Sequence, residues 1–125
     1  MERLVHPNLA DVSLSAALHA LSDPVRLIMV AKLDAGQDLN CTATSPGTQI
    51  PKSTISNHLR ILRNAGLVET KSAGREMINT SRRSAFDARF PGLLDNVLAN
   101  RPPDALTLGD SGGCAASAKG IAATP

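Results

Sequence analysis

Residues 52–65, KSTISNHLRILRNA, constrain the fold of this chain more than any other segment. At about 100° per residue, Ile55, Leu59 and Leu62 fall on one narrow apolar stripe, the pattern of a helix that packs a single face against a core. The opposite face of this helix is polar and consists of Ser53, Ser56, Asn57, Arg60 and Asn64. Gly66 follows at the position where a left-handed residue commonly ends a helix. We therefore predict an amphipathic helix that presents polar side chains to a partner.

A two-stranded hairpin is predicted directly after this helix. The first strand opens at Leu67, residues 72–74 (Ser-Ala-Gly) form the turn, and Met77 lies in the return strand. The basic residues Lys71 and Arg75 flank the tip of the hairpin. The chain thus places a positively charged loop next to the polar helix.

Two further helices are predicted before this unit. Residues 9–20 carry an apolar stripe at helical spacing, and residues 24–34 begin with a proline behind the capping side chain of Asp23. The polar, turn-rich residues 37–51 follow, and no helix is predicted with any clear signal there.

The C-terminal part of the chain divides into a helical region and a tail. Residues 84–100 keep a helical period of large apolar side chains, with a break at the Pro-Gly pair 91–92. From residue 101 onward the sequence is rich in Ala, Gly, Pro and Ser, a composition typical of disorder. We therefore expect one folded domain over residues 1–100 and a disordered tail over residues 101–125.

The composition excludes several classes of protein. The chain has 125 residues, no Trp or Tyr and two Phe, which suits a single domain with an aliphatic core. No apolar run reaches the roughly 18 residues of a membrane span, and the N-terminus lacks signal-peptide organisation, so we expect a cytoplasmic location without membrane contact. The sequence contains no nucleophile elbow, phosphate-binding glycine loop or HExxH motif, so an enzyme is not expected.

No metal or cofactor site is expected either. Cys41 and Cys114 form neither a CxxC pair nor a disulfide framework. The histidines His6, His19 and His58 do not stand at ligand spacing relative to the cysteines. His58 lies at the edge of the apolar stripe of the amphipathic helix, where we expect a histidine that hydrogen-bonds within the domain. Cys41 is expected to be a small core residue rather than a redox switch.

The charge of the chain is concentrated in one segment. Residues 52–83 hold seven basic and two acidic residues, a net charge of +5, whereas the rest of the chain carries −3. A basic segment in an otherwise acidic chain is the pattern of a surface that faces a polyanion. An ordinary solvated face is the alternative interpretation.

Together these features predict a winged helix that binds double-stranded DNA. An α-helix fits the major groove, where polar side chains reach base edges, and a basic hairpin adds contacts to the neighbouring backbone. The predicted DNA contacts are Lys52, Ser53, Thr54, Ser56, Asn57, Arg60, Arg63, Lys71 and Arg75. The alternative is a winged helix that binds only proteins. Such a module should not retain duplex DNA, whereas DNA binding through Arg60 and Arg75 should be steeply salt-dependent.

Two stretches of the sequence resemble the ArsR family of winged-helix repressors. Residues 20–27 (ALSDPVRL) are similar to the start of that family's second helix, and residues 53–68 (STISNHLRILRNAGLV) to its recognition helix and exit into the wing. Gly74 and Arg75 fall where the family's wing turn lies. The resemblance covers roughly residues 9–100. It implies a mainly α fold with a small β-hairpin, a homodimer packed through its first and last helices, and an inducer-relieved repressor of a two-fold operator.

The sequence departs from the family pattern between residues 37 and 51. Metal-sensing members often carry a Cys-x-Cys-type box beside the recognition helix, whereas the comparable residues 39–42 contain one cysteine. Metal sensing is therefore not expected. Pro46 and Gly47 interrupt the same region, so the first helix of the reading motif is expected to be short or irregular.

A surplus of apolar residues predicts where the dimer forms. The C-terminal helical stripe and part of the first helix offer more apolar surface than one small core covers, and contiguous patches of this kind usually mark an interface. The predicted interface residues are Leu14, Leu18, Leu93, Leu94, Val97 and Leu98. The alternative is that the C-terminal helix folds back and completes the core of its own subunit.

Overall fold

Six short α-helices accompany one small sheet in the part of the chain that the structure describes. The structure is a computed structural model and describes residues 6–36, 38–47 and 49–101. The helices are α1 (Leu14–Ala20), α2 (Pro24–Asp34), α3 (Cys41–Thr44), α4 (Lys52–Asn64), α5 (Arg83–Arg89) and α6 (Leu93–Ala99). The strands are β1 (Leu39–Asn40), β2 (Val68–Ala73) and β3 (Glu76–Ser81), which form an antiparallel sheet in the order β1-β3-β2. Apart from Arg101, the tail expected over residues 101–125 lies outside the described residues.

The first predicted helix is shorter than expected. Residues Leu9–Asp11 form a 3-10 turn, and α1 begins only after Ser13, whose hydroxyl oxygen accepts a hydrogen bond from the Ala16 N–H at 3.1 Å. The prediction of one continuous helix over residues 9–20 was wrong. The capping serine starts a new helix, and the residue before it, Val12, has extended backbone.

α2 has the predicted bounds and begins as its sequence indicates. Asp23 Oδ1 accepts hydrogen bonds from the N–H groups of Val25 at 2.8 Å and Arg26 at 3.2 Å. No single helix in the described part of the chain is long and apolar enough to cross a membrane. The joined pair α1 and α2 passes that test by length and composition alone, and it is bent by 95° at its break.

The turn-rich residues before α4 contain a short strand and one helical turn. β1 places Leu39 opposite Asn79, and Asn79 Nδ2 donates to the Leu39 carbonyl oxygen at 3.1 Å. α3 has four residues, in agreement with the short reading helix expected here, and Asn40 Oδ1 caps it by accepting the Ala43 N–H at 2.8 Å. The sequence pattern misses β1 because two residues carry no periodicity and their partner strand is distant along the chain.

The predicted hairpin is present, with a tighter turn than expected. β2 and β3 pair along their whole length and end with Ala73 opposite Glu76. Ser72 and Ala73, which were expected in the turn, are strand residues. Gly74 and Arg75 alone therefore reverse the chain, and Gly74 adopts a φ of +65° that a glycine tolerates without strain.

α5 and α6 fold back on the core of their own subunit. Phe86 is fully buried and packs against Phe90, with ring centroids 5.1 Å apart. The break predicted at residues 91–92 separates the two helices. Leu94 is only 1% exposed and Leu98 only 8% exposed. This corrects the predicted interface at Leu94 and Leu98, because side chains that complete the core of the same chain are not available on its surface.

The left-handed glycine that ends α4 generates a stability prediction. Gly66 has a φ of +78°, and a Cβ added there would lie 2.5 Å from Cδ1 of the buried Leu9. Gly36, which follows α2, has a φ of +92° and open space around it. We expect Gly36→Ala to lower the free energy of unfolding by about 1–2 kcal/mol through backbone strain alone. Gly66→Ala should lose about 1 kcal/mol more, because Leu9 must move within the core.

Urea denaturation of the two alanine variants and the wild-type chain measures this difference. Equal losses for the two variants would show that the contact between residue 66 and Leu9 does not stabilise the fold.

Candidate nucleic-acid interface

α4 buries its apolar stripe and exposes its polar side chains. Ile55, Leu59 and Leu62 are at most 2% exposed and attach the helix to the core. The predicted DNA contacts that are exposed on this helix are Lys52, Ser53, Thr54, Ser56, Asn57 and Arg60. Because the apolar stripe already fixes the helix, these polar side chains are available to a ligand.

Two of the exposed side chains on α4 bind each other. Arg60 Nη2 donates a hydrogen bond of 2.5 Å to Asn57 Oδ1, about one helical turn earlier. Both residues are exposed, so this contact, rather than packing, sets how the two polar ends are presented to solvent. The sequence predicted both residues as DNA contacts but not the bond between them.

Arg63 occupies a different position from the other predicted contacts. It is half-buried, and its Nη1 donates to Thr70 Oγ1 of β2 at 3.3 Å. Thr70 Oγ1 donates in turn to Asn79 Oδ1 of β3 at 2.7 Å, and both Thr70 and Asn79 are buried. Arg63 therefore belongs to a hydrogen-bond network that joins α4 to the sheet. The only sequence signal for this network was that Thr70 in β2 and Asn79 in β3 are polar residues at positions opposite each other in the hairpin.

The tip of the hairpin carries the basic side chains that were predicted for it. Lys71 and Arg75 are both exposed. Lys71 Nζ lies 3.8 Å from Glu69 Oε2, an exposed ion pair of the kind that contributes little to stability. Because a polyanion can replace Glu69 as the partner of Lys71 at little cost, Lys71 and Arg75 both remain available to a polyanion.

The last two arginines of the basic segment serve the fold instead. Arg82 donates to a backbone carbonyl of the N-terminal segment at 3.1 Å. Arg83 binds the carboxylates of Asp34, Asp87 and Asp95, and its hydrogen bonds to Asp87 and then Asp34 raise the pKa of its guanidinium. The net charge of residues 52–83 therefore overstates the charge that faces solvent. The exposed cations of this segment are Lys52, Arg60, Lys71 and Arg75.

Arg26 and His58 hold α4 against the first two helices. The Arg26 side chain is 6% exposed, and it donates to the Ala20 carbonyl oxygen at 2.7 Å and to the His19 carbonyl oxygen at 3.1 Å. Its Nη1 lies 3.0 Å from His58 Nδ1 on α4. Because a guanidinium only donates, Nδ1 must accept, and the proton of His58 is on Nε2. The prediction that His58 hydrogen-bonds within the domain is confirmed, whereas its partner Arg26 was not foreseen.

Two histidines act as hydrogen-bond acceptors and are therefore neutral in the folded domain. Burial lowers the pKa of His58, and the charge of Arg26 lowers it further against the opposing effect of Asp23. His6 Nε2 accepts the Thr70 N–H of β2 at 3.0 Å. Burial is the main cause that lowers the pKa of His6 as well. Both contacts require the unprotonated ring.

The described residues contain no group of three or more His, Cys, Asp or Glu side chains placed to hold a metal ion. Cys41 is the first residue of α3, and Cys114 lies outside the described residues. The expectation of a protein without metal or cofactor stays a prediction.

The lowered pKa values predict a pH-dependent stability. Below about pH 6.5 the histidines of the unfolded chain bind protons, whereas the two acceptor histidines of the folded domain resist protonation. The melting temperature should therefore be lower at about pH 5.5 than at about pH 7.5. In His58→Asn the oxygen Oδ1 replaces Nδ1 as the acceptor, and in His6→Gln the oxygen Oε1 replaces Nε2. Thermal unfolding of the double variant at both pH values should show a smaller fall, and an undiminished fall would contradict the assignment.

The comparisons with known proteins agree on one family. The sequence model of one protein family, described as "Bacterial regulatory protein, arsR family", matches residues 23–70 of this chain. The chain is 34% identical over 79 residues to the uncharacterized HTH-type transcriptional regulator YceK of Bacillus subtilis (strain 168), a match that covers 62% of this chain and 79% of YceK. It is 33% identical over 89 residues to the HTH-type transcriptional regulator NmtR of Mycobacterium tuberculosis, covering 71% of this chain and 70% of NmtR.

Solved structures show the same architecture. A crystal structure of a possible transcriptional regulator for arsenical resistance superposes with a TM-score of 0.52 at 26% identity, over 68% of this chain and 95% of that chain. An ArsR-like transcriptional regulator from Rhodococcus sp. RHA1 shares the fold, with a TM-score of 0.53 at 22% identity over 89% of this chain and 93% of that chain. The predicted winged-helix fold, mainly α with a small β-hairpin, is thus confirmed. With this fold, an exposed polar α4 and two relatives above 30% identity, the chain belongs to the ArsR family of DNA-binding helix-turn-helix transcriptional regulators and is not an enzyme.

Proposed function

We propose that this regulator is a repressor that binds a two-fold DNA operator as a homodimer, with α4 in the major groove and the β2-β3 hairpin as the wing. The observation that carries the proposal is the exposed polar side of α4, opposite a stripe that is at most 2% exposed. A dimer seated on its operator would block transcription by occupying the DNA. A cytoplasmic location is part of the same proposal, because bacterial chromosomal DNA lies there.

The side chains of α4 suit a groove-reading helix. Ser53, Thr54 and Ser56 are short, so the helix backbone would approach the base edges closely. Asn57 and Arg60 are longer, and side chains of these two types form the commonest bidentate contacts to adenine and guanine. These five residues are therefore assigned to the reading surface.

Sequence-independent affinity would come from the cations around that surface. Lys52 stands at the start of α4, where the helix dipole also favours a phosphate. Lys71 and Arg75 at the hairpin tip would contact the neighbouring backbone. Arg63 is assigned to holding α4 on β2 rather than to reading DNA, because its guanidinium is engaged by Thr70.

A homodimer would cover an apolar patch on α1. Leu14 and Leu18 are 52% and 46% exposed and lie about one turn apart on the same side of the helix. Among the described residues, they are the large apolar side chains that face solvent most fully. Leu93 and Val97 of α6 are half-buried and are proposed to contribute to the same interface. A two-fold pairing of such patches would also present two α4 helices to the two halves of one operator.

The reading helix and the wing should differ in how they affect DNA binding. Arg60→Ala should weaken binding to the selected operator by about 1–3 kcal/mol and random DNA less, as expected for loss of a base contact. Arg75→Ala should weaken binding to both by similar factors and make the salt dependence shallower. Mobility-shift titrations at two salt concentrations measure both effects.

Arg101→Ala is the charge control, because it removes one positive charge outside α4 and the hairpin, together with a hydrogen bond to the Leu98 carbonyl oxygen. It should leave the affinities within a factor of about two. If the wild-type chain fails to retain duplex DNA at low salt, the protein-binding alternative replaces the proposal. A selective loss of operator binding in Arg75→Ala would instead assign base reading to the wing.

The dimer proposal predicts a defined effect of two substitutions on α1. Leu14→Asp combined with Leu18→Asp should give a folded monomer, because both side chains are already exposed in the single subunit. Tight operator binding should be lost with the dimer, since one α4 alone reads half a site. Sedimentation, circular dichroism and DNA titration test this, with Ser15→Asp on the same helix as the control. A wild-type chain that sediments as a monomer at micromolar concentration would disprove the proposal.

A further inference from the structure

We propose that Asn57 and Arg60 act as one hydrogen-bond-donating unit that selects a guanine in each half of the operator. The inference rests on the proposed function, because it names the base that α4 would read. It starts from the 2.5 Å hydrogen bond between Arg60 Nη2 and Asn57 Oδ1, the contact that links two exposed side chains of the reading helix.

The chemistry of the guanidinium fixes how Asn57 is oriented. A guanidinium carries N–H donors and no acceptor, so the Asn57 carboxamide must turn its oxygen toward Arg60. Its Nδ2 amino group then points away from the guanidinium. Arg60 keeps its other N–H groups, and the second N–H on Nη2 forms a fixed fork with a neighbouring N–H of the same planar group. What the pair presents to a ligand is therefore dominated by N–H donors.

A surface of donors distinguishes the two purines. Guanine presents two acceptors, O6 and N7, to the major groove, whereas adenine presents the acceptor N7 beside the N6 amino donor. An asparagine reads adenine by offering one donor and one acceptor, and that acceptor is the oxygen that Arg60 engages here. Reading adenine would require Asn57 Oδ1 to accept from the adenine amino group and from Arg60 together, using both lone pairs in a fixed geometry. Reading guanine makes no such demand on Oδ1.

The neighbouring residues of α4 do not replace this pair. Ser53 and Ser56 are short hydroxyl side chains that serve as donor or acceptor and discriminate little between bases. Arg63 is half-buried and engaged by Thr70. The bond to Asn57 also orders the Arg60 side chain before DNA arrives, which lowers the entropy cost of forming a directional contact. A phosphate contact would gain less from such an orientation, because a phosphate accepts hydrogen bonds from many directions.

The experiment begins with selection of duplexes from a random-sequence pool by the full chain and by Arg60→Ala. The position whose base preference disappears in Arg60→Ala identifies the contacted base, and we expect it to be guanine. Three duplexes that differ only there are then compared: guanine, 7-deazaguanine, which lacks the N7 acceptor, and adenine. The wild-type chain should bind each of the two altered duplexes about ten-fold more weakly, which corresponds to about 1.4 kcal/mol.

The variants separate the pair from its surroundings. Arg60→Ala should bind all three duplexes with similar affinity, and Asn57→Ala should lose most of the preference for guanine over adenine. Asn64→Ala, which removes an exposed carboxamide at the end of the same helix, should keep the full preference.

Two outcomes would overturn the inference and leave the proposed function standing. One is a selected operator with adenine or no fixed base at the position coupled to Arg60. The other is equal binding of guanine and 7-deazaguanine duplexes by the wild-type chain, which would make Arg60 a phosphate contact. Failure of the chain to select any DNA sequence would overturn the proposed function, and this inference with it.

Discussion

The guanidinium of Arg26 connects the three helices on which the domain is built. From α2 it donates to two carbonyl oxygens at the end of α1 and to the imidazole of His58 on α4. Taking a charge out of water costs several kcal/mol unless its N–H groups find acceptors. The three acceptors offset that cost only when all three helices stand in one arrangement. The position of α4, which its buried apolar stripe attaches to the core, therefore also depends on this contact with α1 and α2.

A second set of buried polar groups fixes the hairpin relative to α4. Arg63 reaches Thr70, Thr70 reaches Asn79, and Asn79 reaches the backbone of β1. These bonds link α4 to β2, β2 to β3, and β3 to β1, a strand that is only two residues long. Such a small sheet has little apolar area of its own, so directional hydrogen bonds specify its register and its angle to the helix.

The basic residues divide into two groups that the sequence does not distinguish. The arginines engaged with the body of the domain are Arg26, Arg63, Arg82, Arg83, Arg89 and Arg101. They meet carbonyl oxygens, a hydroxyl, an imidazole or carboxylates, and some of the carbonyls stand at helix ends, where backbone acceptors have no partner within the helix. Lys52, Arg60, Lys71 and Arg75 are exposed. Within residues 52–83 only this second group is exposed, so the net charge of the segment overestimated the positive charge that faces solvent.

Local sequence determined the elements whose signals are contained in a few consecutive residues. Short sequence patterns were enough to predict α4 from its apolar stripe, the start of α2 from its cap and proline, and the hairpin from its strands and turn. The polar side of α4 also identified Asn57 and Arg60 as candidate contacts. The tertiary structure alone decided that Leu94 and Leu98 enter the subunit's own core while Leu14 and Leu18 stay outside. It also decided which arginines are engaged and where β1 pairs. These outcomes depend on contacts between residues far apart in the chain, and apolar periodicity shows that a side is buried but not which surface buries it.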